Sequence, residues 1–418
     1  NIFSTENIEL DGAVVDMSSA SSSFGEYVNE GYFFRAMYEY DGRIFASASY
    51  RRDASSRFHP DHRWGNFWSV GAAWIISRES WFNAPVFNML KLKASYGSQG
   101  NDAIGMYRYT DLYSVSNDGN DGISISFAQK GNPNITWETN SNLNVGAEFG
   151  LWNDRLSGSI DYFYRLTSDM LFAVPVAPSM GYSSFYDNIG DMYNTGIEVV
   201  LNGDIVRRQN LVWSVNANLT WVKNKVLSLP EDRRERCIDG HWGFISGSTF
   251  LAEGLPLNTL YIHEYAGVDP ETGRSMWYKD VLDEKDNVIG KETTTDFSQA
   301  TQYLCGAPTP DLYGGFGTSI DFYGFDFSAS FTYSIGGLSY DSGYAGFMTS
   351  PTSRSVGSNF HKDVLKGWTP ENKGSDIPRF QFEDQYTASD SDRFLTNASY
   401  LNFQNAQLGY TLPERITQ

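Results

Sequence analysis

Side-chain character along this chain repeats with a period of two. Phe34, Ala36, Tyr38 and Tyr40 alternate with Arg35, Met37 and Glu39. After Asp41-Gly42, a hairpin-turn pair, Ile44, Ala46, Ala48 and Tyr50 alternate with Phe45, Ser47, Ser49 and Arg51. The rhythm returns in Leu143, Val145, Ala147 and Phe149, in Ile160, Tyr162 and Tyr164, in Leu211 through Trp221, and in Phe325 through Tyr333. Successive side chains of a strand point to opposite faces, so each segment reads as a strand with one apolar and one polar face. Eleven are predicted, at 32–40, 43–51, 66–77, 89–97, 139–151, 156–166, 195–203, 211–222, 310–322, 325–335 and 399–410. Such strands run to about 9–13 residues, beyond the common 5–6. At a tilt near 45°, about 9–11 residues cross the hydrocarbon of a bilayer.

The polar face carries Ser, Thr, Asn, Gly and charge, which suits a wet lumen; the apolar face suits lipid. A soluble sandwich would fill its inner face more evenly with Val, Ile and Leu. Short links at Asp41-Gly42, Trp152–Arg155, Asp204–Gln209 and Tyr323-Gly324 alternate with long ones at 52–65, 98–138, 167–194, 223–309 and 336–398, and Arg78–Asn88 is intermediate. Outer-membrane barrels have short periplasmic turns and long extracellular loops. The expected fold is therefore all-β, an antiparallel transmembrane β-barrel with long extracellular loops; a large soluble β protein is the alternative. An odd strand count does not close the usual bacterial barrel, so closure requires strands beyond these. Within the loops, Asn359–Lys366 is predicted as a short helix with Asn359 as N-cap and Gly367 after it, and Val268–Gly273 as a turn.

Composition narrows the function. Net charge is −19, and an acidic chain repels phosphate backbones, so nucleic acid is not an expected partner. Aromatics make up 16% of residues, too many for a disordered chain. The longest apolar runs, Ala72–Ile76 and Met170–Val174, fall far short of the roughly 20 residues of a membrane-spanning helix. The opening Asn1-Ile2-Phe3 has neither Met nor a charged leader, which suggests an internal start.

Several ordered motifs then resemble the barrel of SusC/RagA-like TonB-dependent transporters of the Bacteroidota. They are Arg52-Asp53-Ala54-Ser55-Ser56-Arg57-Phe58, Trp64–Val70, Leu90–Gly97, Asn132–Glu138, Asn188-Ile189-Gly190 with Asn194–Glu198, Trp368–Asn372, Ile377-Pro378-Arg379, and Ser399 through Pro413. Ala54 stands where the family has Gly, and Trp68 where Pro is usual. The resemblance implies the middle and C-terminal part of a barrel of about 22 strands, with a large extracellular insertion at 223–309 and with the plug and last strands lying outside residues 1–418. It also implies active import of a large nutrient, most simply an oligosaccharide and alternatively an oligopeptide. The implied partners are a SusD-like surface lipoprotein as lid, TonB acting through the N-terminal part, and a possible dimer of transporter–lid pairs. A passive or adhesive surface barrel is the alternative of another class.

Loop aromatics that could stack on sugar faces are Trp242, Phe244, Trp277, Tyr278, Tyr344 and Phe347. Arg51, Arg52, Asp53 and Arg57 are expected to form a structural charge network near a strand top. No cofactor and no metal site is expected. Pro60 breaks any helix that would align His59 and His62. Asp118–Gly122 lacks a calcium-loop frame, and Asp280, Asp283, Glu284 and Asp286 read as a solvated loop face. Cys237 and Cys305 could pair if exported. No catalytic motif is found: His263-Glu264 is a His–carboxylate neighbour pair, and adjacent strand residues face apart.

Overall fold

A computed structural model describes residues 25–117, 123–285, 287–353, 357–384, 387 and 389–412. Eleven strands form one sheet whose spatial order is their chain order. They are β1 (Asn29–Tyr40), β2 (Ile44–Ser55), β3 (Trp64–Ile75), β4 (Phe87–Asn101), β5 (Glu138–Leu151), β6 (Leu156–Ser168), β7 (Asp191–Arg208), β8 (Leu211–Ser228), β9 (Leu312–Phe322), β10 (Phe325–Ile335) and β11 (Tyr400–Tyr410). Every neighbouring pair is antiparallel. The predicted strands correspond to these one for one.

The tight turns follow from sequence. Asp41 and Gly42 both have positive φ, and Arg43 N–H closes onto the Tyr40 carbonyl at 2.9 Å. Tyr323 and Gly324 repeat the positive-φ pair, the geometry that matches strand twist. One boundary needs correction: β7 runs on to Arg208, and the turn is Gln209-Asn210 rather than Asp204–Gln209. A bulge between Asp204 and Val206 breaks the alternation there.

The register sorts side chains onto two faces. Tyr38, Ala46, Ala72, Leu92, Val145, Ile160 and Ile197 lie on the outer face; Met37, Ser47, Gly71, Lys93, Gly146, Asp161 and Glu198 lie on the concave one. Outer-face rings gather near both rims: Tyr40, Trp74, Phe322, Phe325 and Tyr410 at the short-link end, and Tyr50, Trp68, Tyr96, Tyr164 and Trp221 toward the other. Two aromatic girdles flank the apolar band of an outer-membrane barrel. The run from Phe325 to Tyr333 rises roughly 20 Å at a tilt near 40°, close to the ~25 Å of such a band.

The long links carry most of the buried core. Hairpins Leu112–Asn117/Ile123–Gln129 and Met170–Pro175/Ser184–Ile189 rise from the rim. Between β8 and β9 lie a five-stranded sheet (Arg236–Ile238, His241–Ser246, Thr249–Ala252, Thr259–His263, Gln302–Gly306) and a three-stranded one (Tyr265–Val268, Ser275–Leu282, Val288–Thr294). The predicted turn at 268–273 joins the first two strands of the latter, with Gly273 N–H on the Asp269 carbonyl at 2.8 Å. The helix predicted at 359–366 is a 3₁₀ segment, Lys362–Lys366, capped by His361 rather than Asn359 because the His361 ring accepts from the Asp363 N–H. An unpredicted helix, α1 (Ser342–Phe347), is capped by the Asp341 carboxylate, which accepts from Tyr344 N–H at 2.8 Å.

Candidate functional site

The concave face is a polar trough. Near the β1–β4 strands it holds a concavity of about 830 Å³ lined by Met37, Phe45, Ser47, Lys93, Asp161 and Glu198 among others. Lys93 Nζ lies 3.0 Å from Asp161 and 3.1 Å from Glu148, and Lys91 Nζ lies 3.1 Å from Glu148. The register places Glu198 opposite Asp161 on the neighbouring strand. This charged network was missed by reading strands singly. Its signal was present in Lys91, Lys93, Glu148 and Asp161, all on polar faces, but only cross-strand pairing brings them together. Beyond it, Asn, Ser and Thr continue the face: Ser330 and Asn405 hydroxyl and amide meet at 2.7 Å, and Gln404 donates to Thr332 at 2.8 Å.

The motif residues build the rim above the trough. Asp53 is buried and accepts two bonds from Arg51 Nε at 2.7 and 2.6 Å. Arg57 instead binds the Asp102 carbonyl at 2.9 Å, and Arg52 stacks over Trp64 at 4.9 Å on the outer face. The expected single network is thus three separate contacts, because strand alternation sends Arg52 to the opposite side from Arg51 and Asp53. Phe58, Phe67, Ile104, Ile135 and Trp137 form a buried core there, and Trp137 Nε1 donates to the Arg63 carbonyl at 2.8 Å. Asn188 ties two links together: its amide donates to Thr136 O at 3.0 Å and Asp169 O at 2.9 Å, and its oxygen accepts from Thr136 N–H at 2.8 Å. A second knot joins the segments before β9 and β11. Trp368 donates to Pro270 O at 3.0 Å, and Arg379 N–H donates to Gly273 O at 2.8 Å. A Cβ on Gly273 would sit 2.4 Å from the Trp368 ring, so glycine is required.

The six predicted stacking aromatics separate. Trp242 and Phe347 have open faces, 50% and 52% exposed. Tyr278 is half-buried under Lys291 Nζ at 4.5 Å, and Tyr344 is half-buried between His361 and Asp363. Phe244 and Trp277 are corrections: both are core residues, 1% and 2% exposed, with no face open to a solute. Phe244 packs with Met170, Val174, Ile189 and Leu251 because the loops fold onto one another. The thiols are also resolved. Cys237 and Cys305 are free and sit on the two edge strands of the five-stranded sheet, with three strands between them, too far for a disulfide. His59 and His62 ring centroids are 6.5 Å apart, and among the described residues no three His, Cys, Asp or Glu side chains group as a metal site. Asp118–Gly122 and Asp286 lie outside the described residues.

A family model described as "TonB dependent receptor-like, beta-barrel" matches residues 5–261. The chain belongs to this family. Its barrel wall is that of an outer-membrane protein, and the SusC/RagA resemblance of the motifs extends over nearly the whole chain. TonB-dependent receptor P3 of Formosa agariphila is 31% identical across 97% of this chain and 40% of its own length. TonB-dependent receptor SusC of Bacteroides thetaiotaomicron is 26% identical across 91% of this chain and 37% of its own. A structure titled as the RagAB peptide transporter superposes with a TM-score of 0.78 at 29% identity, over 96% of this chain and 44% of that one. The chain thus spans about two-fifths of the length of these relatives.

In this TonB-dependent receptor-like barrel several titratable groups meet at the junction between the two largest loops. His263 packs against Phe297 with ring centroids 4.2 Å apart, its Nδ1 lies 3.3 Å from the Asp390 carbonyl, and it bridges to Ser391. Burial pulls its pKa below the ordinary imidazole value. Burial raises Asp392, which accepts from Tyr265 N–H at 2.7 Å. Tyr340 is pushed up to about 12 by burial and by the Asp390 carboxylate. Glu264, the neighbour of His263, turns away to Lys291, so the pair has no shared chemistry.

Proposed function

We propose that the protein containing this wall imports a large polar solute, most simply an oligosaccharide, with a SusD-like lipoprotein as lid and TonB as energy source. The observation that carries the reading is the two-faced wall: an aromatic and aliphatic outer face against a concave face of amides, hydroxyls and paired charge. Hydroxyl and amide groups suit a neutral polyol, and Trp242 and Phe347 offer open rings for sugar faces. A protein partner at the mouth is supported by the hairpin Leu112–Asn117/Ile123–Gln129. There Tyr113, Val115 and Ile125 are 60%, 68% and 66% exposed on one face, and neither strand carries a charged residue. Two strands with a bare apolar face are marginal alone. The second reading is oligopeptide import, favoured by the likeness to structures titled as a peptide transporter.

The test is extraction of the full-length protein in mild detergent, identification of what co-purifies, and calorimetry of the complex with oligosaccharides and peptides. A stoichiometric surface lipoprotein and glycan binding are expected. Peptide binding instead selects the second reading. A bare barrel that binds neither overturns both and points to a passive or adhesive surface protein.

A further inference from the structure

The short-link rim has one anomalous connection. Four of its links are Asp41–Arg43, Trp152–Arg155, Gln209-Asn210 and Tyr323-Gly324; the fifth, between β3 and β4, runs from Ile76 to Val86. It carries a continuous chain of rings. Trp74 meets Trp81 at 6.0 Å, Trp81 meets Phe82 at 6.2 Å, and Phe82 meets Phe87 at 6.0 Å. Trp74 and Phe87 stand on the outer face, opposite Ile44 and Leu151, so the chain continues the lipid-facing girdle outward past the strand ends. Trp81 at its tip is 62% exposed and Val86 is 43% exposed.

The link is rigid. Glu79 N–H closes onto Ile76 O at 3.0 Å, Phe82 N–H onto Glu79 O at 3.0 Å, and Phe87 N–H onto Ala84 O at 2.9 Å. The Glu79 carboxylate is occupied by Arg43 at 2.9 Å and by Trp74 Nε1 at 3.0 Å. Arg78 is different: one nitrogen donates to Gly42 O at 2.6 Å, and among the described residues no carboxylate pairs with its exposed guanidinium. A fixed, exposed Trp beside an open guanidinium matches the headgroup zone of a bilayer, where indole prefers to sit and Arg binds phosphate through several donors.

We propose that residues 76–86 form a foot on the periplasmic leaflet, with Trp81 and Phe82 in the headgroup–acyl boundary and Arg78 on the phosphate of a phospholipid. This rests on the membrane placement of the wall and is independent of what the barrel imports. The experiment uses the full-length protein carrying Trp81→Cys with every native cysteine, Cys237 and Cys305 among them, replaced by Ser. The thiol is labelled with an environment-sensitive fluorophore, in phosphatidylethanolamine–phosphatidylglycerol vesicles. Lipids with a quencher at shallow depth should quench the label at least about twofold more than lipids with a deep quencher, and aqueous iodide should quench it weakly, as interfacial residence requires. Adding Arg78→Gln should reduce the shallow quenching, and Arg78→Lys should retain most of it. Free quenching by iodide with none from either lipid would overturn the foot. Quenching unchanged by Arg78→Gln would remove the phosphate contact.

Discussion

Ile160 and Phe244 are both apolar, yet they serve opposite solvents. Ile160, on the outer face of β6, is 50% exposed; Phe244, in the loop sheet, is 1% exposed. The wall hides few side chains, because lipid on one face and lumen water on the other take the place of a core, and its cohesion comes from antiparallel backbone ladders. The mouth stands in water and must bury its own apolar residues. Its clusters around Phe58, Phe244, Phe250 and Phe394 are those of an ordinary globular protein. One chain thus obeys two rules, separated at the aromatic girdle.

Three changes would break or sharpen that contrast. The largest effect is expected from Phe244→Ala, which empties a buried site at about 3–5 kcal/mol. Hydrogen exchange should show lost protection in 229–263 and in the 170–189 hairpin, with the wall unchanged; wall strands opening as well would show the two regions to be one cooperative unit. Next comes Ile160→Arg, expected to cost about 2–4 kcal/mol in bilayer, against little for Ser159→Arg on the concave face. Equal costs in a denaturant titration in vesicles would contradict the assignment of faces. The smallest effect is a pH response at the loop junction. The folded pKa of His263 is lowered, so its contribution is present above the ordinary value of 6.5 and fades as pH falls through the folded pKa. Asp392, raised, has the opposite sign: its contribution is present at low pH and fades as pH rises through the folded pKa. Moving from about pH 7 to about pH 5.5 should loosen 259–263 against 389–392 in exchange measurements, and His263→Gln should abolish that loosening. Equal loosening in parent and variant would assign it to another group.

The wall was legible because the bilayer imposes period two on every crossing, and the hairpin turns need residues such as Asp41-Gly42. Where the pattern is locally broken, legibility fell: Ile205 sits at the β7 bulge and hid the last turn of alternation. The site was harder. Lys93, Glu148 and Asp161 are far apart in sequence and meet only through register. Phe244 and Trp277 looked like Trp242 in sequence, since a water-exposed ring and a core ring in an irregular loop share no periodic signature. Helix α1 has six residues, too few to show a helical repeat.

β8 and β9 pair from Leu211 with Phe322 to Trp221 with Leu312, although Leu229–Asp311 intervenes. Their register is set by neighbours in the meander, and closing a longer loop adds only about 0.6 kcal/mol per doubling of its length. A lineage can therefore lengthen, trim or exchange whole mouth segments by recombination without renegotiating the strands beneath. The scaffold behaves as a fixed handle with interchangeable tool heads.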